Sequence, residues 1–312
     1  MRQFTKALVF VPGGPTDPVL PHARRIAAAH GAVITVADVL AKPPAYQRAL
    51  LNREWKVKVA EILRNKKTAG LERVAARLRR GGVESRITLL EGPPVKALVR
   101  EVVEAHHDLL AVAASGPGII RSVGSTAERL VRECPCPTLL ARPSRRRRHR
   151  VLVAIDVRPS GRSNAAFNAL LLETAIAVAR LEKADLHVLH AWELPDQRYR
   201  RRQGLTSAET AQLVFTAREA AHEALQSTIA PYRRHFSAKH VHLERGAPRK
   251  VIPAAAVKHG IELLVIGTVA RSGLARHLIG NTAEVLLARM PCSMLVLRPE
   301  RPVRARSWAG SR

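Results

Sequence analysis

Apolar residues recur along this chain with two alternating periods. Short runs such as Lys6-Ala-Leu-Val-Phe-Val11, Ala32–Val36, Leu109–Ala113 and Thr138–Ala141 are dense in Val, Leu and Ile. Runs of that length bounded by turn residues predict buried strands. Between them, the stretch ending at Ala29, residues from about Arg48 to Arg80, Val95–Ala105 and Thr126–Glu133 space their apolar positions as helices do. Val83–Leu89 alternates as a further strand. Strand and helix alternate throughout, which predicts a parallel α/β sheet.

The order restarts at Val151. Val151–Ile155 predicts a first strand that closes on Asp156, followed by a helix over about Ala169–Arg180 and a strand at Leu186–His190. A long helix over roughly Ala208–Thr228, a strand at Val241–Leu243, a helix at Val251–His259 and a strand at Leu263–Ile266 continue the series. A shift of 156 residues lays Gly124–Pro143 on Gly280–Pro299 without a gap, and ten of the twenty positions are identical. A shift of 154 aligns Gly92 and Pro94 with Gly246 and Pro248, and Leu109-Leu110 with Leu263-Leu264. The chain is an internal duplication whose first loop is two residues shorter than its second.

With 312 residues, 46% of them hydrophobic, there is material for two domains with real cores. Aromatic residues make up 4%, so Ala, Val, Leu and Ile must fill those cores. No uninterrupted apolar run approaches the ~18 residues of a membrane helix. Met1–Lys6 is polar and Ala7–Val11 is too short for a secretory h-region, so a cytoplasmic chain without a leader or transmembrane segment is expected. Cys134, Cys136 and Cys292 without a pairing framework suit a reducing compartment.

The net charge is +27. It is concentrated in Arg145–Arg148 with Arg142 and Arg150, in Arg198–Arg202, and in the tail from Arg298 to Arg312. A field of this sign draws nucleic acid, anionic surfaces or nucleotides non-specifically, or simply solvates exposed faces. No aromatic platform for stacking single-stranded bases accompanies the arginines.

The stretch with most chemistry is Gly267-Thr-Val-Ala-Arg-Ser-Gly-Leu-Ala-Arg-His-Leu-Ile-Gly-Asn-Thr282. It reads as strand end, glycine-rich loop and helix start. Gly267, Gly273 and Gly280 permit close backbone approach and positive φ. A helix beginning near Asn281 or Thr282 would turn unpaired N–H groups on a phosphate, although the same residues serve equally as ordinary N-caps.

Each half resembles a universal stress protein domain, and the whole is similar to the tandem, E-type members of that family. The residues that carry the resemblance are Val153-Ala-Ile-Asp156, Leu189-His-Ala-Trp192, Glu244-Arg-Gly-Ala-Pro248, Leu263-Leu-Val-Ile-Gly-Thr268 and Gly280-Asn-Thr-Ala-Glu284. The endings Cys134-Pro-Cys-Pro-Thr-Leu-Leu140 and Pro291-Cys-Ser-Met-Leu-Val-Leu297 fit as well. The resemblance implies two tandem flavodoxin-like (adenine nucleotide alpha hydrolase-like) α/β domains. Each would hold a five-stranded, mostly parallel sheet flanked by helices, with ligands at the carboxyl ends of the strands. The expected division is 1–143 for the first domain, 144–149 for an Arg-rich linker, 150–299 for the second domain and 300–312 for a basic tail. Final strands that meet would let one chain mimic a family dimer, with homodimers also allowed.

ATP-binding members carry an Asp ending strand one and a G-x-x-G-x9-G-S/T loop. The resemblance thus implies ATP, with Mg, held in the second half by Asp156, Gly267, Thr268, Ala270, Gly273, Gly280, Asn281 and Thr282, with the Ala191 backbone at the adenine edge. Ala270 replaces the second glycine, and Asn281 stands where Ser or Thr is usual. Arg271, Arg276 and, when protonated, His277 add positive charge to the loop. In the first half Pro12 occupies the Asp position and Ala113 the first glycine. Gly116 and Gly124-Ser125 remain in a shortened loop, so that site reads as degenerate.

Thirteen histidines give no zinc-type spacing with cysteine, and no metal site is expected. His187 and His190, three apart on a strand, should face opposite ways. Cys134-Pro-Cys136 reads as buried small side chains, and neither a Gly-x-Ser-x-Gly elbow nor a His-Glu-x-x-His helix occurs. The leading expectation is a non-catalytic cytoplasmic stress-response protein that binds ATP or a related nucleotide in its second half. The alternative is a degenerate-site protein that binds nucleic acid or other anionic or apolar ligands through its basic surface or sheet cavity.

Overall fold

The structure is a computed structural model that describes residues 4–12, 14, 18–41, 53–114, 125–143, 149–158, 162–194, 206–268 and 281–299. The first half contains β1 (Lys6–Phe10), α1 (Val19–His30), β2 (Val33–Leu40), α2 (Arg53–Arg80), β3 (Ser85–Glu91), α3 (Pro94–Glu104), β4 (Leu109–Ala113), α4 (Ser125–Glu133) and β5 (Thr138–Ala141). The second contains β6 (Arg150–Ala154), α5 (Arg162–Leu181), β7 (Asp185–Trp192), α6 (Ser207–Ile229), β8 (Val241–Arg245), α7 (Pro248–Lys258), β9 (Leu263–Gly267), α8 (Asn281–Arg289) and β10 (Ser293–Leu297). Two short 3-10 turns, Ala230–His235 and Ala238–His240, lead into β8.

Within each half the strands are parallel, in the order β3-β2-β1-β4-β5 and β8-β7-β6-β9-β10. The halves join where β5 and β10 pair antiparallel, Leu140 opposite Met294 and Leu139 opposite Leu295. One ten-stranded sheet results, so the final strands meet within the chain. Both faces are covered by helices, which explains why strands such as β4, β5 and β10 are near-continuous apolar runs rather than alternating ones.

Polar groups at the seam are specific. His22 Nδ1 accepts from Arg25, which can only donate, so the ring proton lies on Nε2 and is given to Ser293 Oγ at 3.1 Å. The same hydroxyl accepts from the Arg142 N–H at 3.0 Å. Buried Glu182 takes the Arg25 guanidinium at 3.1 Å, and buried Glu262 meets His149 at 2.6 Å. These bonds replace the water that each buried polar group gives up.

A strand and a helix run further than their apolar patterns suggest. β2 continues through Asp38 to Leu40 because β3 pairs with it along its whole length. α5 begins near residue 162, earlier than its periodicity indicates. Its segment 164–181 is the one stretch among the described residues with the length and mean hydropathy of a membrane span. It is a core helix, however, with Phe167, Leu171, Leu172 and Ala175 buried in the sheet-facing cluster and Asn164, Asn168 and Glu173 interrupting its apolar sequence.

Candidate functional site

In the second half the chain passes from β6 outward to β7 and β8, then crosses back to β9 on the other side of β6. The carboxyl ends of β6 and β9 therefore flank a topological switch point, where open α/β sheets offer a crevice. Asp156 lies two residues beyond β6, and Gly267 ends β9. α8 starts at Asn281, as the capping residues predict. Ala191 is half-exposed near the end of β7, in register with Glu244.

The turn carrying Asp156 is held by its own backbone oxygens. Asn164 and Asn168, one helical turn apart on α5, each donate a side-chain N–H to the Asp156 carbonyl at 2.8 Å. His190 Nδ1 reaches the preceding carbonyl of Ile155 at 3.1 Å. That carbonyl can only accept, so Nδ1 carries the proton. His190 faces the side of β7 opposite to His187, as the strand period requires. These three anchors went unrecognised in the sequence, although an Asn pair at i, i+4 opening a helix after a strand-end Asp is a usable signal.

The Asp156 carboxylate is half-exposed and engages Arg158, with Nε to Oδ1 at 2.7 Å, a second contact from Nη2 to Oδ2, and the Arg158 N–H at 3.2 Å. Burial works against the charged form, but these donors outweigh it and hold the carboxyl below its usual range. An ionised Asp beside a partly exposed guanidinium can address ribose hydroxyls and phosphate respectively.

Gly267 has a different reason for being glycine from the one its motif suggests. Its φ is not positive, and a Cβ there would stand 2.2 Å from Phe167 Cε1 and 2.6 Å from Cζ. The ring of Phe167, buried on α5, occupies that space. Thr268 is buried, and both its N–H (2.9 Å) and its hydroxyl (3.3 Å) are directed to the Leu297 carbonyl, tying β9 to β10. Its hydroxyl serves the fold. Ala270, Gly273 and Gly280, with Arg271, Arg276 and His277, lie outside the described residues, as do the side chains of Asn281 and Thr282.

In the first half Pro12 follows β1 and Ala113 ends β4, so neither strand end presents a carboxylate or a glycine there. Asp38 is buried, receives the Val39 N–H at 2.7 Å and pairs with Lys67 at 2.6 Å. Gly116 and Gly124, the Arg145–Arg148 segment, Arg198–Arg202 and residues 300–312 lie outside the described residues. A cleft of about 350 Å³ lined by Arg180, Lys183, Asp185 and His235 lies at the amino end of β7, away from Asp156 and Gly267.

Cys134 and Cys136 are buried, with sulfurs 3.4 Å apart. The histidines behave less simply than their spacing suggests. His187, His242 and His259, from three different elements, bring one ring nitrogen each to within 4.8 Å of the others.

The model of the Universal stress protein family matches residues 3–142 and again 147–298. Universal stress protein E of Escherichia coli strain K12 is 23% identical over 256 residues, 80% of either chain. The Universal stress protein E homolog of Haemophilus influenzae is 29% identical over 183 residues, so the match spans only 55% of either chain. Among solved structures, a universal stress protein from Archaeoglobus fulgidus superposes with a TM-score of 0.66 at 18% identity, covering 96% of this chain and all of that one. A Pseudomonas aeruginosa UCBPP-PA14 protein assigned to the same family gives 0.71 at 24% identity, covering 95% and 94%.

Proposed function

The chain belongs to the universal stress protein family, and from that premise we propose that its second half binds ATP or a related adenine nucleotide at the carboxyl ends of β6 and β9. The observation that carries this reading is the Asp156 turn, set at the switch point and braced by Asn164, Asn168 and His190. A carboxylate used only as a turn residue needs no such bracing of the backbone beneath it. In this reading Asp156 accepts from ribose hydroxyls, and Arg158 leaves the carboxylate for a phosphate. The backbone of Ala191 meets the adenine edge, while the start of α8 at Asn281 faces the phosphates. Mg would be held chiefly by the nucleotide's own phosphates. The first half, with Pro12 and Ala113 at the matching strand ends, takes no nucleotide. The protein is then a cytoplasmic binding component of a stress response rather than an enzyme.

Calorimetric titration of the full chain with ATP and Mg tests this. We expect one site per chain, and Asp156→Ala should weaken it roughly 10- to 100-fold, the loss of a hydrogen bond to a charged group. No heat with wild type, or an unchanged constant in the variant, would remove the proposal.

A further inference from the structure

β7 and β8 are adjacent parallel strands, and α7 runs back over them so that its carboxyl end lies above their amino ends. By the strand period His187 shares the face of β7 that carries Leu189, which clusters with Ile252 and Ala255 of α7. His242 enters from β8, and His259 follows the last turn of α7, its N–H bonded to the Ala255 carbonyl at 2.9 Å. His187 Nδ1 and His242 Nε2 are 2.9 Å apart. The His242 and His259 rings stack at 4.1 Å, and His240 stacks on the outer side of the group, 4.0 Å from His187.

Four imidazoles in contact are an expensive arrangement if nothing uses them. His187 Nε2 and His259 Nε2 are buried atoms without a hydrogen-bond partner among the described residues. The rings are held neutral: burial first, then the neighbouring histidines, lower His187 to about 3 and His242 to about 4, and His259 is lowered as well. Neutral imidazole is the form that ligates a metal. Ligand atoms within 4.8 Å need only small rotations to reach the roughly 3.3 Å spacing of donors around a tetrahedral ion with ~2.0–2.1 Å bonds.

We propose that His187, His242 and His259 form a binding site for one divalent transition-metal ion of the zinc type. Imidazole suits zinc, nickel and copper rather than magnesium or calcium. Three protein ligands leave a fourth position for water or for His240. Arg150, Lys239 and Lys258 oppose the ion's charge, while Asp185 and Glu244 favour it, so affinity rests on the three nitrogens. The ion would staple α7 to β7 and β8. It lies at the opposite end of the sheet from Asp156, and the site is independent of nucleotide binding.

The test uses full-length protein without an affinity tag, stripped with EDTA and titrated with zinc or cobalt(II). We expect one equivalent of cobalt(II) to give the intense visible bands of a low-coordinate nitrogen site. Saturating zinc should raise the thermal midpoint by about 5 °C. His187→Asn, His242→Asn and His259→Asn should each weaken binding about 100-fold and abolish the rise, while exposed His222→Asn changes neither. Zinc-edge X-ray absorption of the wild type requires no variant to fold: imidazole scattering supports the site, and sulfur ligation from the cysteines overturns it. Failure of wild type to take up one equivalent, or full binding by His259→Asn, overturns it equally.

Discussion

Gly267 shows how one residue can satisfy a motif and a core at once. Its lack of a side chain admits the Phe167 ring, so Gly267→Ala should destabilise by about 1–3 kcal/mol through overpacking, with or without ligand. Shrinking the ring in the double variant Gly267→Ala/Phe167→Leu should recover part of that loss. A double-mutant cycle in urea measures the coupling, and additive effects would refute the packing explanation. Asp156 was legible from its place after an apolar strand. Arg158, Asn164 and Asn168 were not, since their role comes from which carbonyl and carboxylate the turn brings within reach.

Among the elements, α6 advertises its start most openly. Thr206 accepts from the Glu209 N–H at 3.2 Å, and the Glu209 carboxylate returns to the Thr206 N–H at 2.8 Å, a reciprocal capping box. Thr206→Ala should cost about 1 kcal/mol and lower helicity near residue 206, read from denaturant curves and local hydrogen exchange. No change in either would mean the helix is held entirely by its packing. β2 teaches the reverse lesson. Ala37-Asp38 interrupts the apolar run that marks a strand, yet pairing with β3 and the Lys67 ion pair carry it on to Leu40. Local pattern marked nine of the ten strands, β10 being expected only through the resemblance, and it cut β2 short where a neighbouring strand supplied the bonds.

Across the molecule, the seam between the halves sets a dependence on acid. Burial and the Arg25 charge lower His22 to about 4. The unfolded chain takes up that proton near pH 6.5, so the folded state binds fewer protons in between. The contribution of His22 is complete above pH 6.5 and falls by roughly 3 kcal/mol as pH drops toward 4. Urea midpoints measured from pH 7 to 4 should decline less steeply in His22→Gln than in wild type. Parallel declines would mean that another group governs the seam.

The repeat of strand, helix and turn was readable from residue order alone, because periodicity and the 154- and 156-residue shifts are properties of neighbours along the chain. So were the fold class and the asymmetry between the halves, since Pro12 and Ala113 declare themselves wherever they sit. The joining of β5 to β10 was expected only through the resemblance, which left open whether it occurs within one chain, and the bracing of Asp156 and the gathering of His187, His242 and His259 were not foreseen at all. Each unites groups that are not neighbours along the chain, and only strand register, antiparallel at the seam, and helix return bring such groups within bonding distance.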